Sequence, residues 1–79
     1  MLLKRFNRYE FMSMSTLKEI GSILHEMDFN LGMLTNQLYG LYDGYLYDDI
    51  LTYAKNTVTP ELYGRIENVV NEVNTYPKL

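Results

Sequence analysis

The sequence predicts an all-α fold, a small helical bundle in which one long helix, about residues 15–42, is packed by two shorter helices at about 46–55 and 60–76. Three observations carry this reading. From Leu17 the apolar residues fall at Ile20, Leu24, Met27, Leu31, Leu34, Leu38, Leu41 and Tyr45, in steps of three and four that trace one helical face. Thr59-Pro60-Glu61 has the composition of a helix start, with a capping hydroxyl, a proline at the first helical position and an acid beside it. The chain of 79 residues has no cysteine, so helix packing rather than disulfides must supply its core.

Residues 1–14 read as a loosely attached arm before a single helical domain at 15–79. The arm mixes Lys4, Arg5 and Arg8 with Leu2, Leu3, Phe6, Tyr9 and Phe11. It is too short and too weakly charged for a membrane anchor or a nucleic-acid arm, so it is expected to fold onto the domain or onto a partner.

The long helix has Ser15 or Thr16 as its cap, with Glu19 three residues beyond Thr16 as in a capping box. It is expected to end at Asp43-Gly44, because glycine tolerates the left-handed conformation found at helix ends. Its weakest internal point is Asp28-Phe29-Asn30, where helix propensity is low. Gly21, Gly32 and Gly40 weaken the helix as well and ask for a compensating reason such as close packing. The second helix, about Leu46–Lys55, carries Asp48-Asp49 in its first turn, at the positive end of its dipole. The third carries Leu62, Ile66, Val69, Val73 and Tyr76 along one side and stops before Pro77.

If Leu17 is taken as position a of a heptad, the e and g flanks carry a single charge, which argues for cover by other helices rather than an isolated coiled coil. Packing the two short helices on the C-terminal half of the long one leaves Leu17, Ile20, Ile23 and Leu24 without cover. Such a stripe is expected to pair with a symmetry mate as a two-fold homodimer, or with a target, unless residues 1–14 fold back over it.

The opposite face of the long helix holds Phe29, Gly32, Met33, Asn36, Tyr39, Gly40 and Asp43, where a solvated face would carry more charge. Beside it, residues 39–49 hold four of the chain's eight tyrosines and three aspartates. Tyrosine supplies rigid contact area and aspartate can meet a partner's arginine or lysine, so the expected partner-binding residues are Phe29, Met33, Asn36, Tyr39, Tyr42, Asp43, Tyr45 and Tyr47. The same residues would also serve as ordinary core and caps if the short helices covered them.

Chemistry is not expected. His25 is the only histidine, and its neighbours Glu19, Glu26 and Asp28 are too few and too scattered for a metal site. Gly40 and Gly44 lack the Lys-Ser/Thr of a phosphate loop, and Ser13, Ser15 and Ser22 have no evident base. No metal or cofactor is called for. A net charge of −3 argues against nucleic acid as a partner, and the charged N-terminus argues against membrane insertion.

The run Tyr63-Gly64-Arg65-Ile66-Glu67-Asn68-Val69-Val70-Asn71-Glu72-Val73 is similar to the terminal helix of small phage inhibitors of type I-F CRISPR interference, in which a Gly-Arg-Ile-Glu-Asn run also occurs. The likeness spans eleven residues. Those inhibitors resemble sheet-plus-helix proteins, and no fold or binding residue is carried across from them. The expected function is that of a non-enzymatic, cytoplasmic protein-binding module, an inhibitor or adaptor of phage or mobile-element type that blocks a larger host protein. The alternatives are a self-associating scaffold, and a nucleic-acid regulator using Lys4, Arg5 and Arg8.

Overall fold

Residues 3–27 and 32–79 are described by a computed structural model, mostly helical with a small two-stranded sheet. In chain order the elements are β1 (Leu3–Arg5), α1 (Arg8–Phe11), α2 (Met14–Glu26), α3 (Gly32–Tyr42), β2 (Tyr45–Tyr47), α4 (Ile50–Thr57) and α5 (Pro60–Asn74). The fold is therefore not purely all-α.

The long helix expected over 15–42 is two helices folded back on each other. The hydroxyl of Tyr42 donates to the carbonyl oxygen of Leu17 at 3.2 Å, whereas a straight helix would hold these residues roughly 37 Å apart. Helix α2 starts behind Ser13, whose hydroxyl accepts the Thr16 N–H, so the cap lies two residues before Ser15. It ends at Glu26, and Met27 is extended with φ −81° and ψ 153°. The expected weak point Asp28-Phe29-Asn30 lies outside the described residues.

Burial explains the fold-back. A rod carrying the whole apolar stripe needs foreign cover along its length, whereas a hairpin lets α2 and α3 cover each other and α5 cover α2. The core gathers Ile20, Ile23, Leu24 and Met27 with Leu34, Leu38 and Leu41, and closes with Ile50 and Ala54 of α4 and Ile66, Val69, Val70 and Val73 of α5. This corrects the proposed dimer stripe: Ile20, Ile23 and Leu24 are buried within one chain, and Leu17 packs half-buried against the same core.

The sheet is the second correction. Leu46, placed at the start of a helix by sequence, lies in β2 and pairs antiparallel with β1 in the register Leu3↔Tyr47, Lys4↔Leu46 and Arg5↔Tyr45. Tyr45 and Tyr47 suit a half-buried strand better than a helix. The second helix consequently begins at Ile50 and runs to Thr57. Asp49 occupies its cap position without a side-chain bond to the backbone there, and accepts instead from the buried Gln37 amide at 3.3 Å.

Of the two places foreseen for residues 1–14, the described part of the arm, from Leu3, takes the domain. Phe6 and Met12 are in the core, and the Phe6 N–H donates to Gly44 O at 2.9 Å. On the other side of β1 the Leu79 N–H donates to Arg5 O at 2.8 Å, so both chain ends meet at this strand. Described residues 3–12 are thus part of the fold rather than loosely attached.

Other boundaries agree with the sequence reading. The Thr59 hydroxyl accepts the Leu62 N–H at 3.3 Å with Pro60 opening α5, and α3 stops ahead of Gly44. Gly44 has φ +89°, and a Cβ there would sit 2.5 Å from Phe6 O. Gly44→Ala is expected to cost at least about 2 kcal/mol, from a left-handed backbone and a clash with the backbone that follows β1. Urea denaturation followed by circular dichroism measures it. Ile20→Ala should cost about 2–5 kcal/mol, as for a core residue. The parent chain's denaturation midpoint should not move with protein concentration, as it would if Ile20 stabilised a dimer.

Candidate functional site

Helix α3 buries Leu34, Leu38 and Leu41 with Thr35 and Gln37 on their flanks. Helical spacing then turns Met33, Asn36, Tyr39 and Asp43 outward. All four are exposed, and Met33 and Tyr39 each leave 48% of their surface in solvent. Met33, Asn36 and Tyr39 thus share one exposed face of α3, and Asp43 continues it in the turn that follows.

Both flanks of that face are shaped by glycines. On the α2 side, Tyr39 and Tyr42 join Gly21, Leu24 and His25 around a hollow of about 270 Å³, the two tyrosine rings 6.4 Å apart between centroids. Tyr42 is half-buried and acts as a structural brace, its hydroxyl standing 2.6 Å from where a Cβ on Gly21 would be. On the other side, a Cβ on Gly40 would lie 3.2 Å from the Tyr47 ring and 3.6 Å from Tyr45 Cβ. The close packing that the glycines asked for is found at Gly21 and Gly40, while Gly32 opens α3 with φ +41° and no described residue within 4 Å of a Cβ there.

Tyr45 and Tyr47 continue the surface from α3 onto the sheet, half-buried, with their cross-strand partners Arg5 and Leu3 on the same outer side. Leu3 is 46% exposed, and the Arg5 guanidinium lies 5.2 Å from the centre of the Tyr45 ring. The structure therefore unites Met33, Asn36, Tyr39, Asp43, Tyr45 and Tyr47, assigns Tyr42 to support, and leaves Phe29 outside the described residues. Sequence reasoning names Arg5 only for a nucleic-acid role and places neither Leu3 nor Arg5 beside the tyrosines, because only strand pairing brings β1 beside Tyr45 and Tyr47.

Two polar clusters elsewhere tie helices together. Arg65 of α5 donates to Glu19 at 2.8 and 3.2 Å, to Ser22 at 2.9 Å and to Glu26, all on α2. Its hydrogen bond holds the Glu19 carboxyl below the ordinary carboxylate value against a small opposing effect of burial, and the Arg65 pKa rises in turn. Both side chains are about a third exposed, so this pair is worth well under about 1 kcal/mol. Further along, the Thr16 hydroxyl donates to Glu72 at 2.8 Å and the Tyr76 hydroxyl donates to the same carboxylate. Residues 63–73 lie on α5, with Ile66, Val69, Val70 and Val73 in the core and Arg65 in this clamp.

Among the described residues no group of three His, Cys, Asp or Glu side chains is placed to hold a metal ion, and no helix is long and apolar enough to cross a membrane. Comparison with family models, curated proteins and solved structures gives no match.

Burial, helped by the bond to Glu72, pushes Tyr76 up to about 12. A phenol with a raised folded pKa contributes stability that is complete below its unfolded value near 10 and is lost as pH rises through about 12. Alkaline titration followed by tyrosinate absorbance should show one of the eight tyrosines ionising last, and Tyr76→Phe should remove that last step. Glu19 has the opposite sign. Its contribution is present above the ordinary carboxylate range and fades as pH falls through its lowered value, so Arg65→Met should flatten the acid limb of the stability curve.

Proposed function

We propose that the chain is a non-enzymatic protein-binding module, an inhibitor or adaptor that docks on a larger protein through the face built by α3 and the sheet. The observation that carries this is the half-exposure of Met33 and Tyr39 on a helix whose other side is fully spent on the core. Met and Tyr supply adaptable and rigid contact area respectively, and neither gains anything from standing in water. Asn36 lies between them and Asp43 follows just past the helix end, so the surface combines apolar anchors with polar specificity in the manner of a recognition patch.

The electrostatics support the same reading. Between Lys18 and Lys55 the chain has no lysine or arginine, so the residues flanking β2 contribute negative charge, at Asp43 and Asp48, while Arg5 of β1 brings positive charge beside Tyr45. Charges of both signs placed beside aromatic anchors favour encounter with a partner of complementary pattern and discriminate against others. The small size and the absence of cysteine fit a blocking domain that works by occupying a surface. A phage or mobile-element setting, with a larger host protein in the cytoplasm as target, is part of this proposal.

Met33→Ala and Tyr39→Ala should each weaken partner binding by about tenfold or more while the far-UV circular dichroism stays that of the parent chain. The partner is obtained by co-purification with the tagged chain and its affinity measured by calorimetry. Unchanged affinity in both variants would remove the face from consideration, and a matching loss of helicity would reassign the two residues to the core.

A further inference from the structure

The outer side of the sheet carries Leu3, Arg5, Tyr45 and Tyr47. We propose that it receives a carboxylate-bearing segment of the partner protein, an Asp or Glu set beside an apolar side chain, with Arg5 as the residue that takes the carboxylate. The inference rests on the protein-binding reading above and names the chemistry that the partner brings to the sheet end of that face.

Among the described residues, the cation that pairs with carboxylates is Arg65, on the α2–α5 clamp. Lys78 directs its ammonium to the carbonyl oxygens of Val73, Asn74 and Tyr76 at the end of α5. Arg5 and Arg8 have no acid within reach among the described residues and lie instead on tyrosine rings, Arg5 at 5.2 Å from the Tyr45 centroid and Arg8 at 4.4 Å from that of Tyr9. A guanidinium laid on a ring is already oriented, and the N–H donors along its rim can meet an incoming planar acceptor. Its hydrogen-bonding fork matches a carboxylate in two parallel bonds.

The neighbours set the rest of the ligand. Leu3, two residues from Arg5 on the same side of β1, is nearly half exposed, and Tyr47 stands opposite it. An apolar side chain next to the partner's carboxylate would cover both. A nucleic-acid strand fits this face poorly. Asp43 is exposed next to Gly44 and Asp48 next to Tyr47, so a run of phosphates leaving Arg5 across the face meets negative charge, whereas a single carboxylate needs only the arginine.

Selection of random peptides displayed on phage against the immobilised full chain tests this. Enriched peptides should carry Asp or Glu beside Leu, Phe or Tyr. For a synthetic copy of one, Arg5→Ala in the chain and Asp→Asn or Glu→Gln in the peptide should each cost about tenfold in Kd, and both together little more than either, because they remove one interaction. Arg5→Lys should restore only part of the loss. Peptides without acids, additive losses, or oligothymidylate binding more tightly than the acidic peptides would each overturn the carboxylate site. Peptides that respond to Met33→Ala and Tyr39→Ala but not to Arg5→Ala keep the binding module and sink this inference; peptides indifferent to all three sink both.

Discussion

The fold-back of α2 onto α3 is the constraint from which the rest of the structure follows. It is held at one end by Tyr42, whose hydroxyl reaches the Leu17 carbonyl over the bare backbone of Gly21. Because the two helices cover each other, the apolar stripe that would have demanded a second chain is satisfied within one, and α4 and α5 need only close the remaining sides. The Arg65 clamp and the Thr16–Glu72–Tyr76 cluster then join α2 to α5 where the packing meets solvent.

The same fold-back decides what is left over. Helix α3 spends one side on the core, and its other side falls beside the sheet because Gly44 turns the chain directly into β2. The strand in turn recruits the N-terminal residues, so Leu3 and Arg5 stand next to tyrosines about forty positions away in the chain. The candidate face is thus a product of topology, with α3 supplying its apolar anchors and the sheet its arginine.

Local chemistry is readable wherever it is decided within a few residues. The Thr59-Pro60 start of α5, the glycine stop after α3 and the shared side of Met33, Asn36, Tyr39 and Asp43 all follow from capping, backbone freedom and helical period. Tyr42 reads as an anchor and serves as a brace, because a half-buried tyrosine on the helix border looks the same in sequence whether its hydroxyl meets a partner or a carbonyl of its own chain. Ile20, Ile23 and Leu24 read as a dimer stripe for a related reason: the periodicity shows that they need burial and is silent on which surface provides it.

By itself, then, the sequence determined that the chain is mostly helical and where its last helix begins, since these depend on contacts between near neighbours; that the Met33 and Tyr39 side of α3 stays exposed rather than covered by a short helix was left open. Tertiary structure alone decided that the rod folds in two, that Leu46 lies in a strand and that the N-terminus closes the sheet. A hydrophobic stripe with a helical period is equally satisfied by a long helix against a partner and by two short ones against each other. Only the whole molecule's burial, including a strand pairing between residues far apart in sequence, tells the two apart.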